Sequence, residues 1–200
     1  MANSTAPPAA QRPAHSRLVR IIAIVLLTLI VLVAVAVLVI WLAIRPKRLV
    51  YTVEHGSIQG FNLTGDNHLN ATFNFALRSY NPNTRVSIYY DKIEAWVSYN
   101  DLDLAFTSVD PFYQPRRNVT HLELKLVAQQ SAMYGAVAKD LRMEKAAGEV
   151  EVDVRLKARV RLKAGAWKSN HRTLKVECSP VRVPFSSSKG FERTYCDAEL

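Results

Sequence analysis

Cys178 and Cys196 are the side chains of this 200-residue chain most open to covalent chemistry. Seventeen residues lie between them, a spacing that matches neither a zinc site nor a dithiol redox motif. In an oxidising compartment they could close a loop worth about 3 kcal/mol in chain entropy; in a reducing one they are two half-buried thiols. The five histidines (His15, His55, His68, His121, His171) show no metal spacing such as H-x₃-H. No G-x-S-x-G, phosphate-cradling glycine loop or H-E-x-x-H occurs, and the seven glycines do not cluster. Asp101 and Asp103 fall at a turn or strand edge, where solvation accounts for them. No catalytic, cofactor-binding or metal-ligating residue is assigned, and the chain reads as non-enzymatic.

What remains is charge. Gly148–Gly165 reads GEVEVDVRLKARVRLKAG, with every odd position from Glu149 to Lys163 charged and every even one apolar. The charged row changes sign, from Glu149, Glu151 and Asp153 to Arg155, Lys157, Arg159, Arg161 and Lys163. These five cations are candidates for weak, salt-sensitive contact with an acidic polymer or lipid headgroups. Cross-strand pairing, for instance with Glu123 or Glu177, would neutralise part of the row, and on a sheet edge the charges would deter aggregation. The sequence pI of about 9.7 raises nucleic acid as a partner. The ladder alternates with core aliphatics rather than stacking aromatics, which excludes it.

The elements that must carry this charge begin with a hydrophobic run. Ile21–Ile44 holds 24 residues without a charge, with Thr28 as its one hydroxyl. As a helix it spans about 36 Å, enough to cross a hydrocarbon core of about 30 Å. It is too long for a signal h-region and ends in WLAIRPK rather than a small-residue cleavage site. Trp41 suits the interface and Arg45-Pro46 stops the helix. Residues 1–20 are Ala/Pro/Ser-rich with three arginines and no acid, the composition of a disordered tail. Residues 45–200 hold 23 of the 26 basic and all 17 acidic residues, a formal charge of +6.

Arginine and lysine flank the helix equally, so sidedness rests on other signals. Sequons stand at Asn62, Asn70 and Asn118, with one more at Asn3, where about one match is expected by chance. Sequons and cysteines together place residues 45–200 outside and the tail in the cytosol, a type II signal anchor.

Seven strands are predicted in that exterior part: 51–58, 69–80, 88–99, 102–109, 119–127, 149–163 and 173–183. In 69–80, Leu69, Ala71, Phe73, Phe75 and Leu77 share one face and Asn70 the other. Only Ser131–Lys145 reads as helix, with Met133, Val137 and Leu141 on one side, Ser131 as N-cap and Gly148 past the end. The expectation is an all-β, seven-stranded antiparallel sandwich with one short helix, preceded by one transmembrane helix.

Residues 81–91 read NPNTRVSIYYD. Asn81-Pro82-Asn83 is a turn, in which Asn83 tolerates the αL region and Asn81 can bond the backbone ahead. Tyr89 and Tyr90 must then face opposite sides of a strand, with Asp91 after them. This segment, with WLAIRPK at 41–47, PFYQPRRNVT at 111–120, RLKAGAWKSNHRTLKVEC at 161–178 and the terminal YCDAEL, resembles a plant family. That family is the non-race-specific disease-resistance and harpin-induced-like proteins (NHL), whose exterior domain is shared with group-two late embryogenesis abundant proteins. Thr84 and Ser87 depart from its usual basic residue and glycine. The resemblance implies a fibronectin-III-like sandwich and no enzymatic activity. It also implies a plasma-membrane glycoprotein of plants tied to defence and the hypersensitive response, with exterior contacts to protein partners or acidic wall polymer. The alternative it leaves is a stress-protective protein that stabilises membrane or wall in dehydration or cold. The C-terminus lacks a glycolipid-anchor tail, so the N-terminal helix is expected to be the sole anchor.

Overall fold

The computed structural model describes residues 15–44, 47–185 and 190–200. The Asn3 sequon, the Arg45-Pro46 stop, the Ser186–Ser188 loop and the first fourteen tail residues lie outside the described residues. The chain divides between Arg45 and Pro46 into two units.

The first unit is helix α1, His15–Ile44. It starts six residues before the apolar run, so His15–Arg20 are helical rather than part of a disordered tail. Helix formation there needs no apolar face, because Arg and Leu are good helix formers and an existing helix propagates easily. From Arg17 to Val39 the helix is long and apolar enough to cross a membrane, and none of that stretch is buried within the protein. It is compatible with a single-pass anchor.

The second unit is built on ten strands rather than the seven expected. In chain order they are β1 Val50–Leu63, β2 His68–Tyr80, β3 Ser87–Tyr99, β4 Leu102–Val109, β5 Phe112–Gln114, β6 Val119–Ala132, β7 Glu149–Ala164, β8 Trp167–Lys168, β9 Arg172–Pro184 and β10 Thr194–Glu199. The additional strands are β5, β8 and β10. They are two to six residues long, too short for a periodic signal, and exist because longer neighbours offer them register. The sheet runs β4-β3-β7-β9-β10-β1-β2-β6, with β5 also on β3 and β8 on β7. Every pairing is antiparallel. The two ends of this order, β4 and β6, lie against each other. A twisted sheet curled that far forms a nearly closed barrel or sandwich around one core.

Alternation fills that core. The inward residues of β2 are Leu69, Ala71, Phe73, Phe75 and Leu77, and those of β7 are Val150, Val152, Val154, Leu156, Ala158, Val160 and Leu162, all buried. Each large aliphatic so buried contributes about 1.5–3 kcal/mol. β7 is an interior strand between β3 and β9, so its charges guard no sheet edge. Helix α2 spans Gly135–Ala147 and buries Ala138 and Leu141, with Met133 just before it. Ser131 is not its N-cap: it lies in β6 opposite Leu69, because ladder pairing with β2 extends through His68–Ala132 and overrides the capping preference. Tyr134 occupies the cap position without a side-chain bond. Gly148 closes the other end at φ 90, its N–H donating to the Glu144 and Lys145 carbonyls.

Candidate functional site

The turn after β2 is the most heavily bonded polar point of the domain. Asn81 is fully buried and Asn83 nearly so. Asn81 Nδ2 donates to the Val86 carbonyl at 2.9 Å and the Pro115 carbonyl at 3.0 Å. Its Oδ1 accepts the Asn83 backbone N–H at 3.1 Å and Asn83 Nδ2 at 2.9 Å. The first of these is the Asx-turn bond expected from the sequence. Asn83 also donates from Nδ2 to the Lys47 carbonyl at 3.0 Å and accepts the Lys47 N–H on Oδ1 at 2.6 Å. The αL conformation that Asn83 tolerates is not used, since φ is positive elsewhere, at Asn67, Asn100, Asp101, Arg117 and Gln130. Two side-chain amides thus tie together the first residues of the domain, the β2–β3 turn and the segment after β5.

Directly beside this clamp lies a buried relay. The Tyr90 hydroxyl donates to Gln114 Oε1 at 3.2 Å, and the Tyr51 hydroxyl sits 2.6 Å from the Tyr90 oxygen. Gln114 also accepts from Ser79 Oγ at 3.3 Å, and its Nε2 donates to the carbonyls of Ser79 (2.9 Å) and Asn118 (3.3 Å). Burial pushes both tyrosine hydroxyls above their ordinary pKa, so they remain neutral. Ser79 and Tyr51 carry no motif status from the sequence, and Gln114 enters it only as part of PFYQPRRNVT, with no role assigned. A polar residue at an inward strand position, Gln114 opposite Ile88, was the signal available. With neutral hydroxyls and every amide satisfied, the arrangement cross-links β1, β2, β3 and β5.

On the outer face Tyr89 and Asp91 continue the motif. Asp91 takes a two-pronged ion pair from Arg161, with Nε to Oδ2 at 2.8 Å, and His171 Nε2 stands 3.5 Å away. The Arg161 hydrogen bonds hold its carboxyl below the usual range. Tyr89 lies outward, its ring 4.6 Å from that of Tyr113 and 4.5 Å from Lys168 Nζ. Tyr90, on the other face, stacks on Phe112 at 4.3 Å. Pro82, half-buried, presets the turn between the two asparagines.

The ladder does not present five free cations. Arg155 is engaged by Glu177 at 3.3 Å, Asp101 at 3.4 Å and Asp153 at 3.9 Å, and Arg161 by Asp91. Glu151 meets Arg182 at 3.3 Å. Glu123 takes no part: it lies on β6 opposite Ala76, on a strand that does not adjoin β7. Among the described residues, Lys157, Arg159 and Lys163 have no ion pair. Lys157 faces Glu94, but Lys92 already holds that carboxylate at 2.6 Å.

Cys178 on β9 and Cys196 on β10 are joined in a disulfide. Of the sequon asparagines, Asn62 and Asn118 are exposed, and Asn70 is half-buried with its Oδ1 accepting the Gln130 N–H at 2.9 Å. Among the described residues, no group of three or more His, Cys, Asp and Glu side chains is arranged to hold a metal ion.

Residues 76–178, which hold Ser79, Asn81, Asn83, Tyr90, Gln114 and the ladder but not Lys47 or Tyr51, match the late embryogenesis abundant protein family, LEA_2. An uncharacterized Arabidopsis thaliana protein is 39% identical over 90% of this chain and 82% of its own length. Arabidopsis NDR1/HIN1-like protein 10 is 32% identical over 96% of this chain and 88% of its own, and NDR1/HIN1-like protein 3 is 33% identical over 88% and 78%. The chain therefore belongs to the NDR1/HIN1-like family of plant defence- and stress-related proteins, built on a late embryogenesis abundant domain.

Proposed function

We propose that this chain is a non-enzymatic, single-pass type II protein of the plasma membrane that supports plant defence signalling. In this reading α1 is the anchor and the β-domain works outside the cell, against protein partners or acidic wall polymer. The observation that carries it is α1 itself: within its Arg17–Val39 span the helix is uncharged and apolar on every side from Ile21 onward and unburied, an arrangement that needs lipid around it. The internal use of the motif residues adds support. Asn81 and Asn83 bond each other and nearby backbone, and Tyr90 bonds Gln114, so recognition falls to the outer surface, where Lys157 and Arg159 stand exposed. The Cys178–Cys196 bridge and the accessible Asn62 and Asn118 sequons suit an oxidising, glycosylating compartment.

Expression in plant cells followed by alkaline extraction and N-glycan removal tests the anchor and its direction together. Retention in the membrane pellet with a mobility shift is expected. Release into the supernatant, or an unshifted band, refutes the reading. For the role, a loss-of-function line should permit more bacterial growth; altered drought survival with unchanged bacterial growth assigns the protein to stress protection instead.

A further inference from the structure

The strand registers sort the charges of the β-domain along its axis. Lys163 pairs with Ser87, Val160 with Arg172, and Tyr80 with both Val50 and Val119. One end therefore gathers residues 47–49, 80–87, 114–119, 163–172 and 199–200. These stretches hold eight lysines and arginines against a single acid, Glu199. The opposite end gathers 63–68, 99–102 and 130–148, where four acids meet three bases. β7 runs from one end to the other, so its change of sign is the same gradient seen along one strand.

At the basic end Lys47, Arg48, Arg85, Arg116, Arg117 and Arg172 are exposed, and among the described residues none has an ion pair. The β7–β8 hairpin projects there. Gly165 makes its turn at φ 59, Lys163 faces Lys168, and Trp167 faces Ala164 with 58% of its surface exposed. An indole left open at a hairpin tip, with Lys163 and Lys168 on the same hairpin, has the composition of a membrane-interface anchor, apolar ring beside phosphate-seeking charge. Lys47 follows α1 by three residues, a covalent reach of about 11 Å.

We infer that this basic end, with Trp167 at its tip, docks on the phosphate-bearing headgroups of the membrane in which α1 sits, an inference that rests on α1 being an anchor. A polyanionic wall chain would need an extended track of free cations. The ladder provides no such track, because Arg155 and Arg161 are already paired. At this one end eight cations without an ion pair among the described residues meet a single acid, as a flat lipid surface requires.

The test uses the full-length chain in nanodiscs of phosphatidylcholine alone or with added phosphatidylinositol. Hydrogen exchange of the 164–172 hairpin is followed by mass spectrometry. Fluorescence quenching by headgroup-nitroxide lipid is taken as the difference between wild type and Trp167→Phe. Phosphatidylinositol should slow hairpin exchange and expose Trp167 to the quencher, and high salt should reverse both. Each cation at an anionic surface is worth about fivefold in partition, so Lys163→Gln/Lys168→Gln/Arg172→Gln should lower the docked population on the order of 100-fold. Equal exchange in the two discs overturns the inference. So does protection that appears only on adding polygalacturonate, which assigns the patch to wall polymer. The wild-type salt response needs no variant to fold. Alkaline extraction of the same samples separates the two readings: a released α1 refutes the anchor, whereas a retained α1 with an unprotected hairpin refutes the docking alone.

Discussion

Replacing Asn81 tests whether the clamp holds the domain together. Asn81→Ala removes four side-chain hydrogen bonds at a fully buried position, two to the Val86 and Pro115 carbonyls and two from Asn83. At a net value near 1 kcal/mol each, with the abandoned carbonyls adding desolvation cost, the loss should be about 3–5 kcal/mol. Against a domain stability of about 5–15 kcal/mol that is a large fraction. Asn81→Asp sharpens the test. It keeps the shape and the Oδ1 acceptor but places a second oxygen toward two carbonyls that required a donor. That carboxyl is stabilised by protonation in the folded state, so its folded pKa lies above the unfolded value of about 4. Sign then follows from linkage: the folded state binds the extra proton, and stability falls as pH rises from about 4 through the folded pKa. The assay is urea unfolding of the detergent-solubilised chain followed by near-ultraviolet circular dichroism, comparing midpoints at matched slope. A loss below about 1 kcal/mol in Asn81→Ala, or an Asn81→Asp midpoint that tracks wild type across pH, refutes the clamp.

Three further outcomes follow from the same contacts. Asp91 has a lowered folded pKa because Arg161 bonds it, so its contribution is present above the ordinary carboxylate range and lost as pH falls through the folded value; wild type should lose more stability on acidification than Asp91→Asn. Tyr90→Phe breaks two buried contacts and should lower stability by about 1–3 kcal/mol, roughly twice the effect of Tyr51→Phe, measured by the same denaturation; equal effects would show that Gln114 does not share the load. Cys196→Ser opens the loop closed by the bridge and should lower stability by about 3 kcal/mol, with the β10 amides exchanging before those of β9 because β10 pairs over only three positions on each side.

Long strands were legible because alternation is a local signal: β2 and β7 bury the residues their periodicity predicts. The helix end at Gly148 was legible for the same reason, since only a glycine enters αL there without strain. What escaped local reading was set by partners far away in the chain. Ser131 has every credential of an N-cap, yet Leu69 across the sheet keeps it in a strand. Glu177 and Glu123 looked equivalent as partners for the ladder, and only the strand order separates them. The asparagine turn could be read as a turn, but nothing near it in sequence tells that Asn81 reaches Pro115, or that Asn83 reaches back to Lys47.

The most distinctive residues of this chain are therefore the least available to a partner. A buried amide must spend its donors and acceptors inside the fold, or the fold loses more than the amide contributes. Asn81, Asn83 and Gln114 do so, and in doing so they fix where the chain enters the barrel and thus which end of it carries Lys47 and Arg48. Recognition and architecture are divided between separate residue sets, and the division is measurable. Asn81→Ala should lower stability while leaving the lipid affinity of the folded fraction unchanged. Lys163→Gln/Lys168→Gln/Arg172→Gln should do the reverse, because none of the three has an ion pair among the described residues and, beyond the Lys168 contact with the Tyr89 ring, surface charges of this kind contribute little to folding. If the clamp variant lost lipid affinity at full folding, or the triple variant lost stability at full affinity, the two sets would be one, and the basic end would have to be read as part of the core's own polar network.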